Sequence, residues 1–512
     1  MSTASSVASA SVTEWRTLVL TEIQAGRRLA GLFGTAVGED VRITAALADP
    51  GGEDAERPAA TAETPAGGIT LVDTLLPSWQ HEYPALTPRI SAAFWYEREL
   101  HDLFGIVPTG HPRLDPLVLP LPESAPLPRP GSPVDPGTLH PTEEAVGRHV
   151  LGPGMFTIPH GPVRSGVFES VEYLVETPGE DIPFPQIRVY HKHRGIEKRF
   201  EGLSLSDGVL LAERTEGIAS VAHALAFCHA VEDVSGVTVP TAAGLVRVLH
   251  AELERIANHL EVVIRLTDAA GLAVAVARFG WYKERVLRLV SRCCGNRFGR
   301  GVVIPGGVAD LPRVEPAELG RELHKLEKDI TSDEELLMET ASFLDRVRGT
   351  GPLSNELAAA HGALGPIGRA SGRSEDIRDV DGYDGYGLLD PLTAPHTDIG
   401  DAMARLLVRW AEIHDSFDLA TAAAERLGGG VPGPLRTDLD LIVGRGVGRA
   451  EAPQGEVLYV VETADGHVTR CKPRSASFHN LPLFHSVFAG DILTDFPFIE
   501  ASFGLSIAGV VL

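Results

Sequence analysis

The chain has 512 residues, of which 44% are hydrophobic and 22% are charged, so it is long enough for two or three globular domains and is neither disordered nor fibrous. Its 69 acidic residues outnumber its 45 basic residues and give a net charge of −24. A surface this acidic repels phosphate backbones, which argues against DNA or any other nucleic acid as a partner.

The opening sequence and the cysteines indicate in which compartment the protein is found. The first residues, MSTASSVASASVTEWRTLVL, have no basic segment ahead of a long apolar run, so we expect no signal peptide. No run approaches the roughly 18 apolar residues that a membrane span needs. The cysteines form no C-x-x-C pair and stand at Cys228, Cys293, Cys294 and Cys471. This usage favours a reduced, cytosolic compartment and predicts no thiolate metal site.

The N-terminal part, residues 1–115, is predicted to be a small α/β domain with a helical opening and strands such as Ile69–Leu76. It contains a glycine-rich surface loop, Gly51–Gly68. The next stretch, Pro116–Gly137, has a proline about every third residue, which favours an extended connector. We place a linker over residues 116–140 and expect the two parts to fold separately, because the linker offers little apolar surface.

Residues 141–512 are predicted to form a mainly helical bundle with small antiparallel sheets, which makes the fold class α+β. Two strands, Val167–Glu176 and Phe184–His193, and a hairpin of Glu456–Val461 with His467–Lys472 are expected. The glycines of Gly444–Gly448 lack the setting of a dinucleotide site and are interpreted as loop glycines. Helical apolar spacing runs through Ser204–Ser235, Thr241–Asp268, Ala273–Asn296, Pro316–Arg348 and Asp398–Arg426.

Two polar clusters have both a functional and a structural interpretation. His191 and His193 form an H-x-H pattern that zinc sites use, but further ligands are missing nearby, so a turn held by side-chain hydrogen bonds is favoured. Glu252, Arg255 and His259 stand three or four residues apart on one predicted helix and form a polar stripe. Taken alone, such a stripe is typical of a solvated, salt-bridged helix face.

Several long blocks resemble subunits of NADH:quinone oxidoreductase, respiratory complex I. The block FWYERELHDLFGIVPTGHPRL, Phe94–Leu114, is similar to the C-type, 30-kDa subunit. The blocks PQIRVYHKHRGIEKRFEGLS, LHAELERIANHLEVV, GALGPIGRASGRSEDIR and EAPQGEVLYVV are similar to the D-type, 49-kDa subunit. The presence of both parts in one chain, and the stretch Arg278–Val308, resemble the large subunit of formate hydrogenlyases and energy-converting NiFe hydrogenases.

The chain departs from the NiFe hydrogenases at the metal ligands. Members of that family hold nickel and iron with two cysteine pairs, in the patterns R-x-C-G-I-C and D-P-C-x-x-C. The matching positions here are Glu216, Ala219, Ser506 and Gly509. Nickel in such a site needs soft thiolate ligands, and alanine and glycine have no ligand atom at all. We therefore expect neither a NiFe centre nor any other metal in this chain.

The resemblance to the quinone-reducing 49-kDa subunit carries over only in part. The histidine that contacts the quinone there matches His160, whereas the tyrosine position falls on Gly217. Arg214 and His259 match residues close to the terminal 4Fe-4S cluster of the partner subunit. The resemblance thus implies that the cluster belongs to the partner and that this chain holds no cofactor of its own. With an ordinary pKa of about 6.5, His259 would make the cluster's reduction potential depend on pH.

Two hypotheses follow from the resemblance. In the first, the chain is the large subunit of a membrane-associated complex I-like or formate hydrogenlyase-like oxidoreductase. It docks an iron–sulfur small subunit of the complex I B type and passes electrons to a quinone or a similar acceptor, with His160 and Glu216 as the catalytic proton donors. It would lie peripherally on the cytoplasmic side of the membrane, against H-type and antiporter-like membrane subunits.

In the second hypothesis, the chain is a non-catalytic structural subunit that braces a hydrogenase-4-like membrane complex. The state of the former metal cavity distinguishes the two. A filled space around Gly217, Ser506 and Ala508 favours the structural subunit, and an open passage favours the electron-transfer subunit.

Overall fold

The computed structural model describes residues 11–49, 68–122, 125–130, 152–164, 169–390, 395–431, 433–440 and 443–512. The described residues form a helical bundle accompanied by small sheets, which confirms the predicted α+β class. Among the described helices, none has the length and apolar character to cross a bilayer.

The N-terminal part is a three-stranded antiparallel sheet in the order β1–β2–β3, with one helix on β3 and another on β1. Its elements are α1 Val12–Gln24, β1 Arg28–Val37, β2 Asp40–Ala48, β3 Ile69–Leu76, β4 Glu82–Pro84, α2 Ala93–Phe104 and β5 Val107–Thr109. The predicted strand Ile69–Leu76 is confirmed. Trp15 fixes α1 on the sheet, because its buried indole N–H donates to the Val72 carbonyl at 2.9 Å. The predicted loop Gly51–Gly68 lies outside the described residues, except for Gly68.

The start of the proline-rich connector is attached to the N-terminal part. Leu117, Val118 and Leu121 are buried there. The Asp102 carboxylate accepts hydrogen bonds from the backbone N–H groups of Leu117 and Val118, at 2.7 and 2.9 Å. The expectation of little apolar surface is therefore wrong for residues 116–122, because Leu117 and Val118 belong to the hydrophobic core. Residues 123–124 and 131–140 of the linker lie outside the described part.

The two parts of the chain share a hydrophobic core. Phe33 and Leu71 of the first sheet pack in one cluster with Leu458 of the C-terminal part. Buried Lys472 also crosses the boundary, and its Nζ lies 2.6 Å from the Glu99 carboxylate. Removing either part would expose this apolar surface, and removing the C-terminal part would also leave the buried Glu99 carboxylate without its cation, which costs several kcal/mol. This shared core argues against the expectation that the two parts fold separately.

The C-terminal part begins with the antiparallel sheet β6–β7–β8 and continues as helices, with a second three-stranded sheet, β11–β12–β13, near its end. Its strands are β6 Phe156–His160, β7 Glu172–Thr177, β8 Phe184–Arg188, β9 Val303–Ile304, β10 Gly307–Val308, β11 Gly444–Ala452, β12 Gly455–Ala464 and β13 His467–Arg474. Its helices are α3 Ile196–Phe200, α4 Leu205–Ala212, α5 Ser220–Ser235, α6 Thr241–Ala269, α7 Ala273–Cys294, α8 Pro316–Met338, α9 Ala341–Val347, α10 Asn355–His361, α11 Gly365–Arg369, α12 Ile377–Val380, α13 Ala402–Gly428, α14 Ala476–Asn480 and α15 Phe496–Phe503.

Helix α6 lies at the centre of the bundle, where it packs against α7, α13 and α15. The predicted helix Ser204–Ser235 is wrong as a single element, because the chain leaves the helix after α4 and starts again at α5. The Glu254 carboxylate on α6 accepts the N–H groups of Val221 and Ala222 at 2.7 and 3.0 Å and so caps the new helix start. The break holds Glu216 and Gly217.

The interpretation of Gly444–Gly448 as loop glycines is wrong, because these residues belong to strand β11. Helix α5 packs directly on this strand. A Cβ at Gly448 would lie 2.0 Å from the carbonyl oxygen of Ala226. The glycines therefore allow helix α5 to pack close to strand β11. A run of glycines in the sequence does not distinguish such a strand from a loop.

The other predicted strands are confirmed with changed ends. The hairpin predicted around residues 464–466 is β12–β13. Strand β8 starts at Phe184 as predicted but ends at Arg188, since Tyr190–Lys192 form a 3-10 turn. Strand β7 starts at Glu172, and the first two residues of the predicted strand lie outside the described part.

Candidate functional site

The former ligand positions come together in the structure. Glu216 comes from the break between α4 and α5, and Gly509 comes from the C-terminal segment after α15. A Cβ placed on Gly509 would lie 2.7 Å from the carboxyl carbon of Glu216. Ser477 joins the two segments, because its hydroxyl donates to Glu216 Oε1 at 3.0 Å and accepts the N–H of Ser506 at 3.1 Å. Ala219 is buried next to them and donates its N–H to the Glu216 carbonyl.

A row of buried, hydrogen-bonded side chains extends from the Glu216 carboxylate. His223 Nε2 lies 2.9 Å from Glu216 Oε2, and His223 Nδ1 lies 2.8 Å from the hydroxyl of Tyr459. The Tyr459 hydroxyl reaches Thr215 Oγ1 at 3.4 Å. All four side chains are buried, so each depends on the others for its hydrogen bonds. We call the group of Glu216, His223, Ser477 and Gly509 the inner centre.

Glu169 and Arg194 hold the C-terminal segment against the inner centre. The Glu169 carboxylate accepts the hydroxyl of Ser506 at 2.8 Å and also the N–H of Ile507. The Arg194 guanidinium donates to the carbonyls of Thr215 and Ala508 at 2.5 and 2.7 Å, which ties both segments together. The turn predicted at His191–Arg194 thus uses Arg194 as its main hydrogen-bond donor.

The inner centre does not fit a nickel–iron group. Its side chains offer a carboxylate, an imidazole and hydroxyls, whereas such a group requires thiolates. The contact between Glu216 and Gly509 also leaves no space for a cysteine at position 509. In the described ranges, no cluster of three or more His, Cys, Asp or Glu side chains has the arrangement of a metal site.

A cleft with two lobes lies beside the inner centre. The inner lobe has a volume of about 260 Å³ and is bordered by Gly217, Glu254 and Ser506. The outer lobe has a volume of about 290 Å³ and is bordered by His160 and Phe496. Glu169, Arg265 and Leu505 border both lobes, so the two are adjacent. Gly217 faces open space, since a Cβ there would have no atom within 4 Å.

His160 and Glu216, the two predicted proton donors, lie in different surroundings. The His160 ring packs edge-on against Phe496 at a centroid distance of 5.2 Å, at the wall of the outer lobe. Partial burial and the neighbouring Arg164 lower the pKa of His160. Glu216 borders neither lobe and reaches the cleft only through the hydroxyl of Ser477 and the backbone of Ser506.

Arg214 and His259 lie in different environments, the first exposed and the second buried. The Arg214 side chain is 52% exposed and donates to the Leu210 carbonyl, so it is available to a partner. His259 is fully buried on α6, and its Nε2 lies 2.8 Å from the Glu412 carboxylate. Burial lowers the pKa of His259 to about 4, which argues against the expected titration near neutral pH.

The polar stripe on α6 is part of an ionic core, so its interpretation as a solvated face is wrong. Arg255 and Glu252 are fully buried with Arg369 and Arg378. Arg378 donates to Glu252 at 3.0 Å, and Arg369 donates to Glu412 at 2.7 Å. The sequence did not indicate Glu412, which comes from α13. Arg255 thus connects α6 to the carbonyls of Glu451 and Ala452 on β11, and His259 connects α6 to Glu412 on α13.

Comparisons with known proteins agree with this architecture. The family described as "Respiratory-chain NADH dehydrogenase, 49 Kd subunit" matches residues 273–443, and the corresponding 30 Kd subunit family matches residues 67–130. A D-type NADH-quinone oxidoreductase subunit of Roseiflexus sp. (strain RS-1) is 31% identical over 67% of this chain and 89% of its own length. The chain belongs to the family of the complex I 49 kDa subunit. It also carries a 30 kDa-type part, as predicted.

The relatives include proteins from hydrogenase complexes. Formate hydrogenlyase subunit 5 of Escherichia coli (strain K12) is 29% identical over 82% of this chain and 75% of its own length. A chain from the structure of the membrane-bound sulfane sulfur reductase, an archaeal respiratory membrane complex, has a TM-score of 0.65 and 22% identity. The match covers 71% of this chain and all of that chain, which shows the same fold.

Proposed function

We propose that this chain is the large subunit of a membrane-associated oxidoreductase of the complex I-like or formate hydrogenlyase-like type. In this role it docks an iron–sulfur small subunit and passes electrons from that subunit's 4Fe-4S cluster to a quinone or a similar small acceptor. One observation carries the proposal. The former metal ligands have been replaced by a closed carboxylate centre, while the cleft beside them is open at Gly217 and Ser506.

The relatives support the proposed assembly. Formate hydrogenlyase subunit 5 and the D-type NADH-quinone oxidoreductase protein are named as subunits, which supports an iron–sulfur partner of the complex I B type for this chain. Exposed Arg214 is the side chain we assign to the contact near the partner's cluster. We place the chain peripherally on the cytoplasmic side of the membrane, beside H-type and antiporter-like membrane subunits.

The cleft and the inner centre have different tasks in this proposal. The cleft holds the acceptor, and His160 at its outer lobe supplies one proton. Glu216 has no proton path to the cleft, because the Ser477 hydroxyl donates to its carboxylate and accepts the backbone N–H of Ser506, which cannot pass a proton on. In this proposal Glu216 is therefore a positioning residue that holds Ser506 at the border of the inner lobe, and the second proton comes from water in the open cleft.

The alternative is a non-catalytic subunit that braces a hydrogenase-4-like membrane complex. The closed packing of Glu216 against Gly509 favours it, because the position once given to a metal is filled by a side chain. The open cleft favours electron transfer, since a purely structural subunit has no need of two adjacent cavities beside the inner centre.

Purification of the native complex through a tag on this chain tests the proposal. We expect an iron–sulfur small subunit to co-purify with it, and an Arg214→Glu variant to weaken that association because the exposed cation is replaced by an anion. The matched control is Arg321→Glu on α8, whose side chain is also exposed. Recovery of the chain without any iron–sulfur subunit, or a complex that reduces no small acceptor, would contradict the electron-transfer role.

A further inference from the structure

A pocket separate from the cleft lies at the end of the bundle, where α6 and α8 end and α7 begins. It has a volume of about 430 Å³ and shares no bordering residue with the two lobes of the cleft. Buried Phe279 and Leu337 line it, and so do Val274 and Leu336, which are 75% and 63% exposed. We call it the end pocket. Apolar side chains this exposed, beside an apolar pocket, are costly to leave in water and indicate that another molecule covers them.

The apolar surface continues from the end pocket along α7. Ala277 and Trp281 follow Val274 at spacings of three and seven residues, so the three lie on one side of the helix. Trp281 is 53% exposed, and the Arg285 guanidinium lies over its ring at 4.8 Å from the centroid. Single exposed apolar residues are common on protein surfaces, but a row over two helical turns that ends at a pocket is the pattern of a groove that receives a partner's helix.

The charge beside the end pocket is negative. Glu335 precedes Leu336 in the last turn of α8, Glu339 directly follows that helix, and both glutamates are exposed. Among the described residues, neither carboxylate forms an ion pair. Arg278 borders the pocket, but its charge is balanced by the ion pair with Asp333. The C-terminal ends of α6 and α8 add partial negative charge, of which the start of α7 offsets about half, and neither helix has a basic residue in its last turn.

We propose that the end pocket and the adjoining face of α7 are a docking site for a partner subunit, and that the occupant is an amphipathic helix with a basic polar face. Its apolar side chains pack between Val274 and Leu336 and against Trp281, and its lysine or arginine side chains meet Glu335 and Glu339. A second copy of this chain fits less well, because it would bring its own carboxylates to the same surface. A bilayer surface also fits less well, since the carboxylates would repel anionic headgroups. The inference goes beyond the proposed function and does not depend on electron transfer.

Photocrosslinking in the native complex tests the docking site. With p-benzoylphenylalanine in place of Leu336, we expect irradiation to link the chain to a segment of another subunit. Mass spectrometry of the linked peptide should show apolar residues at helical spacing and more Lys and Arg than Asp and Glu. The matched control carries the same probe in place of Leu311, which is 47% exposed and lies before the start of α8. Because α8 has 23 residues, this position is about 30 Å from the pocket along the helix, and it should give no link to that segment. A link to a second copy, to lipid or to an acidic segment, or no link from position 336, would overturn the inference.

A charge reversal tests the basic character of the partner. Glu339→Lys should lower the fraction of the crosslinked subunit that stays bound after a wash at low salt by at least about threefold, because an attraction becomes a repulsion. The matched control is Glu425→Lys, which also changes an exposed glutamate at the end of a helix. It lies at the opposite end of α8, since a Cβ at Gly428, where α13 ends, would lie 3.0 Å from the Cβ of Pro316, where α8 starts. Neither substitution should change the urea midpoint of the full chain, because both carboxylates are exposed. Equal retention of the partner by Glu339→Lys and the wild type would overturn the assignment of a basic partner.

Discussion

Glu216 and Gly217 are consecutive residues, yet they border regions with opposite packing. The Glu216 side chain turns inward, where Ser477, His223 and Gly509 enclose its carboxylate. Gly217 faces the open inner lobe of the cleft. The positions that match the metal ligands of NiFe hydrogenases therefore enclose a hydrogen-bonded side chain. The cleft beside them is open.

The largest expected effect comes from returning a thiol to the closed region. Gly509→Cys should destabilise the chain by about 1–3 kcal/mol, because the new side chain meets the Glu216 carboxyl group 2.7 Å from its Cβ. Urea unfolding of the full chain measures this. Gly217→Cys is the control and should stay within about 0.5 kcal/mol of the wild type.

The double variant Gly509→Cys/Glu216→Ala sharpens this result. It should recover part of the lost stability, because the carboxylate that causes the clash is gone. An equal loss of unfolding free energy in Gly509→Cys and Gly217→Cys would mean that the inner centre and the cleft do not differ in packing.

Ser477→Ala should cost about 1–3 kcal/mol, since it removes the hydrogen bond to Oε1 of the buried Glu216 carboxylate and leaves the Ser506 N–H without a partner. Ser206→Ala, which removes an exposed hydroxyl, should change the free energy of unfolding by less than about 0.5 kcal/mol. If both variants unfold at the same urea concentration, the hydrogen bonds of the inner centre contribute nothing.

His250, at the inner lobe, should make the free energy of unfolding depend on pH. Burial lowers the pKa of His250 to about 4, below its unfolded value of about 6.5. Its contribution is therefore complete above pH 6.5 and is lost as the pH falls toward 4. His250→Leu should flatten the slope of unfolding free energy in this window by up to about 1.4 kcal/mol per pH unit. His324→Leu, at an exposed position on α8, should leave the slope unchanged. A wild-type slope in the His250 variant would show that this imidazole is not held neutral.

The smallest effects concern the partner's cluster. Arg214→Met should lower the cluster's reduction potential equally at all pH values, because a fixed positive charge is removed. His259→Met should leave the pH slope between pH 6 and 8 unchanged, since burial keeps this histidine neutral there. Redox titration by electron paramagnetic resonance at several pH values measures both. A slope that disappears in the His259 variant would show that the histidine titrates in the assembled complex.

The sequence predicted the parts of this molecule that depend on local pattern or on family motifs. The bundle helices α6 and α7, the hairpin β12–β13 and the replaced ligand positions were all accessible in this way. Glu169, Ser477 and Glu412 were missed because their partners lie far away in the chain and their types are common. The burial of His259 was missed because a polar stripe at helical spacing is the same for a solvated face and for an ionic core.

The central claim is that the closed inner centre has replaced a metal site while the open cleft serves electron transfer. Elemental analysis and acceptor reduction on one preparation of the native complex test it most directly. We predict reduction of a small acceptor such as menadione by a complex that contains iron from its partner subunits and far less than one nickel per copy of this chain. One nickel per chain, or hydrogen oxidation that depends on nickel, would contradict it.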